Sequence, residues 1–124
     1  MVVPCDAMGL ARKRIKLTAE KGELEIDALI DTGTNRLVIP REVADRLGVR
    51  PMYRVRAELA DGSVRELDAG PVFVELMGRG APDWAAIAEE GEVCVGAETL
   101  ETLGLAVDPA TGDVYPTRRF VWRV

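Results

Sequence analysis

Apolar and polar residues alternate in two-residue steps along much of this chain. Residues 11–18, with Arg14-Ile15-Lys16-Leu17 at their centre, predict a strand with one wet face. Lys21-Gly22 marks a turn. The alternation then resumes through Glu23-Leu24-Glu25-Ile26-Asp27, and Ala28-Leu29-Ile30 runs wholly apolar. This predicts a hairpin whose second strand ends inside a core. Leu37-Val38-Ile39 predicts a short buried strand. Pro40 follows at the favoured first position of a helix, Val43, Ala44 and Leu47 share one helical face, and Gly48 suits the C-terminal cap. Further strands are expected at 53–59, 64–67 and 71–77, with Asp61-Gly62 as a hairpin signal between the first two. Residues 78–82 read as a loop, and 83–92 have no clear period, with Trp84 as their anchor. A short apolar strand at 92–95 leads into a helix at 97–103 closed by Gly104. Residues 108–112 read as a turn, and 120–124 as an apolar terminal strand. The pattern predicts a mainly β chain with two short helices. A strand, a Gly turn and a Gly-closed helix occur twice, at 30–48 and 93–104, which suggests a weak internal pseudo-symmetry.

At 124 residues the default is a single domain, 1–124, with residues 1–11 left as a disordered or interface arm. Hydrophobic residues make up 48% of the chain but aromatics only 5%, so aliphatic packing must fill the core. No apolar stretch approaches the roughly 18 residues of a membrane helix, and residues 1–6 lack the pattern of a signal peptide. No membrane partner and a cytoplasmic location are therefore expected. The net charge of −5 argues against nucleic acid as a general partner.

Histidine is absent, which removes Ser-His-Asp and Cys-His catalysis from a single chain. The common zinc sites need His or several Cys, and only Cys5 and Cys94 are present, so no metal is expected. In a chain read as cytoplasmic, two cysteines predict thiols rather than a disulfide. No phosphate-binding loop or dinucleotide fingerprint occurs, so no cofactor is expected either. Carboxylates remain as the leading candidates for any chemistry.

One carboxylate stands out. Asp31-Thr32-Gly33 lies between Ala28-Leu29-Ile30 and Leu37-Val38-Ile39. The bare triplet is a weak motif. Its apolar flanks strengthen it, because they deliver the carboxylate from a buried strand into a tight Gly turn. Such a group must be supported by hydrogen bonds or it destabilises the fold. Chains tolerate that cost mainly at working sites, although Asp and Gly are also ordinary turn residues.

With these residues in view, the chain resembles the retropepsin-like aspartic proteases, and their bacterial and archaeal single-domain members in particular. Three features carry the resemblance in order. Ala28-Leu29-Ile30-Asp31-Thr32-Gly33-Thr34 is similar to the apolar-apolar-Asp-Thr-Gly motif. The hairpin at 53–67 stands in the place of the substrate-covering flap. Cys94-Val95-Gly96 followed by a helix is similar to the apolar-apolar-Gly motif that passes beside the catalytic loop. The chain departs from the viral pattern in its short acidic flap turn, in the helix at 40–47, and in Asn35, where many members carry Ser or Asp.

The resemblance implies a retropepsin-like closed β-barrel, the acid protease fold. It implies an aspartic endopeptidase whose two carboxylates share one proton across an Asp31–Asp31 dyad and activate a water. One Asp-Thr-Gly per chain then requires a homodimer, acting on a peptide or protein substrate. Asp31 would be catalytic. Thr32, Gly33 and Thr34 would form the active-site loop, with Thr32 tying the two loops together across the axis. Asn35 would bind the substrate backbone, and Ala60, Asp61, Gly62 and Ser63 would close over the cleft. The competing expectation is a catalytically silent dimeric module on the same fold, used for peptide binding or assembly.

Overall fold

A computed structural model describes residues 11–59 and 61–124. Residues 1–10, expected as a disordered or interface arm, and Ala60, expected in the flap turn, lie outside the described residues. β1 (Ala11–Ala19) and β2 (Gly22–Ile30) form the expected hairpin, in register from Ala11 opposite Ile30 to Ala19 opposite Gly22. β3 (Leu37–Pro40) leads into α1 (Arg41–Leu47), and β4 (Tyr53–Glu58) pairs with a long β5 (Val64–Leu76). β6 (Arg79–Ala88), β7 (Cys94–Val95) and α2 (Ala97–Thr102) follow, and a small β8 (Leu105–Val107) and β9 (Val114–Pro116) hairpin comes last.

The neighbours run β1-β2-β7-β3-β6-β5, and β5 pairs back onto β1 at Lys16–Glu75, Leu17–Val74 and Thr18–Phe73. That last pairing closes a barrel of six strands. β4 stands outside the closure and pairs only with the first half of β5. The β4–β5 hairpin is therefore an arm on the barrel rather than part of its wall. Inside, aliphatic side chains fill the space, among them Ile15, Leu17, Leu37, Ile39, Val74 and Leu103. The end of β2 is buried on both faces. Ala28 and Ile30 enter this core, and Leu29 packs outward with Val38, Ala88 and Cys94.

α1 follows its local signals. Val43, Ala44 and Leu47 are its buried stripe, and Gly48 closes it in the left-handed conformation at φ 70°. Pro40 is extended and flanks the helix as its N-cap instead of occupying the first turn. Other expectations are corrected. The strands expected at 64–67 and 71–77 are one continuous β5. Residues 79–88 form β6 rather than a loop and an irregular stretch, and the turn between the two strands is only Met77-Gly78. Trp84 is partly exposed on β6 and meets Tyr53 edge-on, with ring centroids 5.1 Å apart, at the base of the arm. Residues 120–124 form no strand within the chain. Cys94 is buried and disulfide-bonded, against the expectation of a thiol, while Cys5 lies outside the described residues. Among the described residues, no helix is long and apolar enough to cross a membrane.

Candidate active site

β2 ends at Ile30 and hands the chain to a six-residue loop before β3. The first residue of that loop is Asp31. Its N–H donates to the Val95 carbonyl at 2.9 Å, extending the parallel β2–β7 pairing by one bond. The loop then turns back on itself, with the Thr34 N–H on the Asp31 carbonyl at 3.1 Å. The carboxylate is half-buried and each oxygen has its own donor. The Gly33 N–H reaches Oδ1 at 2.9 Å and the Thr34 hydroxyl reaches Oδ2 at 3.1 Å. Gly33 fits closely here, because a Cβ at that position would lie 3.1 Å from Asp31 Oδ1 and press the carboxylate out of place by a few tenths of an ångström. Thr32, Gly33 and Asn35 are exposed.

The second motif grips the loop from below. Gly96 passes so close that a Cβ on it would lie 2.5 Å from the Asn35 carbonyl carbon and 2.6 Å from the Arg36 nitrogen. Just beyond it, the first amides of α2 cap the loop. Ala97 N–H donates to the Thr34 carbonyl at 2.8 Å, and Glu98 N–H to the Asn35 carbonyl at 2.9 Å. Arg36 and Glu98 then pair at 2.9 Å across the same junction. This ion pair is absent from the sequence reading. Its only signal was a pair of opposite charges, each a few residues beyond one of the two motifs. Gly96→Ala is expected to destabilise the fold by about 1–3 kcal/mol, since the clash is with backbone that cannot rotate away. Thermal unfolding of the variant checks this, and an unchanged midpoint would mean that the loop does not lean on β7.

Asp61, Gly62 and Ser63, expected as flap residues, form a separate group. In the turn that joins β4 to β5, Gly62 adopts φ 85°. Asp61 Oδ1 accepts both the Ser63 N–H at 2.9 Å and the Ser63 hydroxyl at 2.6 Å. These two bonds hold the Asp61 carboxyl below the ordinary aspartate range. A lowered pKa means that the turn keeps its full support above the unfolded value and loses it as pH falls through the lower folded one. The Ser63 amide resonance is therefore expected to titrate with a midpoint under the ordinary value of about 3.9. A midpoint at or above that value would show that the turn does not hold its carboxylate. Among the described residues, no hydrogen bond or ion pair joins the flap turn to the Asp31 loop. Nor do the described residues contain a group of three or more His, Cys, Asp or Glu placed to hold a metal ion.

The aspartyl protease family model matches residues 15–74, the span from β1 through the Asp31 loop and the arm into β5. Among solved structures, EIAV protease complexed with the inhibitor HBY-793 aligns over 82% of this chain and 95% of its own, with a TM-score of 0.58. The chain is retropepsin-like in motif and in fold. At 20% identity to EIAV protease, the structural likeness speaks for the fold alone. No curated protein matches the chain. The six-strand barrel carries the Asp-Thr-Gly loop at the end of β2, Gly96 beside it just after β7, and the β4–β5 arm.

Proposed function

We propose that this chain is a homodimeric aspartic endopeptidase that hydrolyses peptide bonds through an Asp31–Asp31 dyad. The observation that supports it most is the Asp31 carboxylate. It is half-buried at the end of a core strand, each oxygen takes one loop donor, and the residues beside it are exposed. A structural turn residue needs a bond to the turn, but not a second donor on its other oxygen.

One chain supplies one carboxylate, so the second comes from an identical chain across a two-fold axis. Two like charges about 3 Å apart do not both ionise easily, so the pair holds one proton. The ionised member takes a proton from a water, the water attacks the scissile carbonyl, and the protonated member gives its proton to the carbonyl oxygen. No covalent intermediate forms. Gly33 N–H and the Thr34 hydroxyl hold the carboxylate in the loop plane while it changes charge. Exposed Thr32 ties the loops across the axis, Asn35 meets the substrate backbone, and the arm with Asp61, Gly62 and Ser63 closes over the cleft. Water-only chemistry of this kind needs neither metal nor cofactor.

The silent binding module has one observation in its favour. The flap-turn carboxylate is satisfied by its own turn, which leaves the tip few groups to offer a substrate. Digestion of an unbiased peptide library at about pH 3 to 8 separates the two readings. Cleavage that a transition-state mimic blocks supports the protease, and binding without cleavage supports the module.

A further inference from the structure

The two faces of the β4–β5 arm differ in chemistry. Strand alternation assigns the faces, because every second residue of β5 points the same way. Gly70, Val72, Val74 and Leu76 are buried and face the barrel interior. Asp68, Glu66 and Val64 continue that face outward along the arm. Opposite them on β4, in register, stand Arg54, Arg56 and Glu58. The other face carries Tyr53, Val55 and Ala57 opposite Ala69, Leu67 and Arg65, and Tyr53 meets Trp84 on the outside of the barrel. Asp68 settles which face turns toward the body of the protein, since Arg41 at the start of α1 pairs with it at 3.3 Å.

The inward face of the arm is thus charged. At its base the charges are already matched. Arg54 pairs with Glu66 at 3.4 Å and with Asp68 at 3.2 Å. Nearer the tip, Arg56 and Glu58 are exposed and have no ion-pair partner among the described residues. They lie two residues apart on one face, one of each sign.

We propose that the arm sorts peptides by charge. Glu58, next to the tip, takes a basic side chain of the bound peptide, and Arg56, one step further back, takes an acidic one. The preferred substrates are then peptides carrying a basic and an acidic residue on the same side of the extended backbone, rather than purely apolar segments. This rests on the protease reading and on the arm closing over the Asp31 loop. An unpaired charge on a strand is screened by water while the arm is open. On closure it loses water and gains most from an opposite charge.

The test is a matched set of peptides with Lys, Gln or Glu at each position around a cleaved bond, digested by wild type, Glu58→Gln, Glu58→Lys and Arg56→Glu. The readout is the ratio of kcat/KM for the Lys and Glu peptides. Wild type is expected to prefer Lys at one position and Glu at another, each on the order of tenfold, with both preferences shrinking in high salt. Glu58→Lys should invert the first preference and Arg56→Glu the second. Asp31-dependent cleavage whose ratios ignore these substitutions overturns the charge assignment but leaves the protease reading standing. No cleavage by wild type, or cleavage that survives Asp31→Asn, overturns both.

Discussion

Asp31→Asn is expected to abolish peptide cleavage while leaving the fold in place. In the proposed dimer, the substitution removes the base and the shared proton from both halves of the dyad at once. Loss of one general acid or base alone costs about 10²–10⁴-fold in rate, and both roles are lost here. The local structure has a way to survive. An Asn oxygen at the Oδ1 position still accepts the Gly33 N–H, and the Thr34 hydroxyl can turn from donor to acceptor for the new amide group. Removing the charge that the facing pair shares is also expected to leave the dimer as stable as before or more so. The comparison is peptide cleavage by the two proteins at matched dimer concentration, beside their melting curves. Equal rates would place the activity outside this site. A variant that no longer folds would mean that Asp31 is a structural turn residue after all.

The parts of the molecule legible in the sequence are those held by local or strictly periodic signals. α1 is written in its apolar stripe and its left-handed Gly48, and the β1–β2 hairpin in its alternation. The Asp31 loop is legible because apolar strands flank it on both sides. What stayed hidden depends on distant partners. Asp68-Ala69-Gly70 reads as a break between two strands, yet β5 runs straight through it. Gly70 is there because Val49 and Arg50 press against the backbone. Pro71 sits where β5 changes its second neighbour from β4 to β1, so its missing N–H costs no ladder bond on that side. β6 is obscured in the same way. Its small residues Ala81, Ala85 and Ala88 are poor strand formers, and pairing with β5 and β3 overrides that preference. The two faces of the arm could be assigned only once the β4–β5 register was known. In the sequence, only the Asp61-Gly62 turn marks the arm, and it points to the tip rather than to Arg56 and Glu58.

Removing residues 121–124 is expected to convert the proposed dimer into monomers and to abolish activity with it. The tail is directed by contacts that no local pattern announces. Arg79 donates to the carbonyls of Leu103 and Gly104 at 3.1 and 3.0 Å, and its guanidinium lies 5.5 Å from the centre of the Phe120 ring. Arg118 reaches the Glu101 carbonyl at 3.2 Å. Phe120 is thereby packed against the core, and the four residues beyond it are turned out into water. Trp122 is 87% exposed and Val121 59%. Apolar side chains so exposed at the end of a barrel mark an interaction surface. The occupant that the half-site at Asp31 calls for is a second copy. Burying a Trp and two Val from each protomer has a transfer value of about 9–18 kcal/mol, at about 1.5–3 kcal/mol per large apolar side chain, much of it offset by the cost of association and ordering. Losing roughly 4 kcal/mol of it weakens the dimer by about a thousandfold, from every 1.4 kcal/mol being a factor of ten. Retaining Phe120 keeps the Arg79 contact, so the truncated chain should fold, and its melting curve verifies that independently. Sedimentation across a concentration series measures the mass. A truncated chain that remains a dimer at the same concentrations as wild type would show that the two Asp31 loops are brought together by some other surface, and activity surviving in a true monomer would remove the dyad itself.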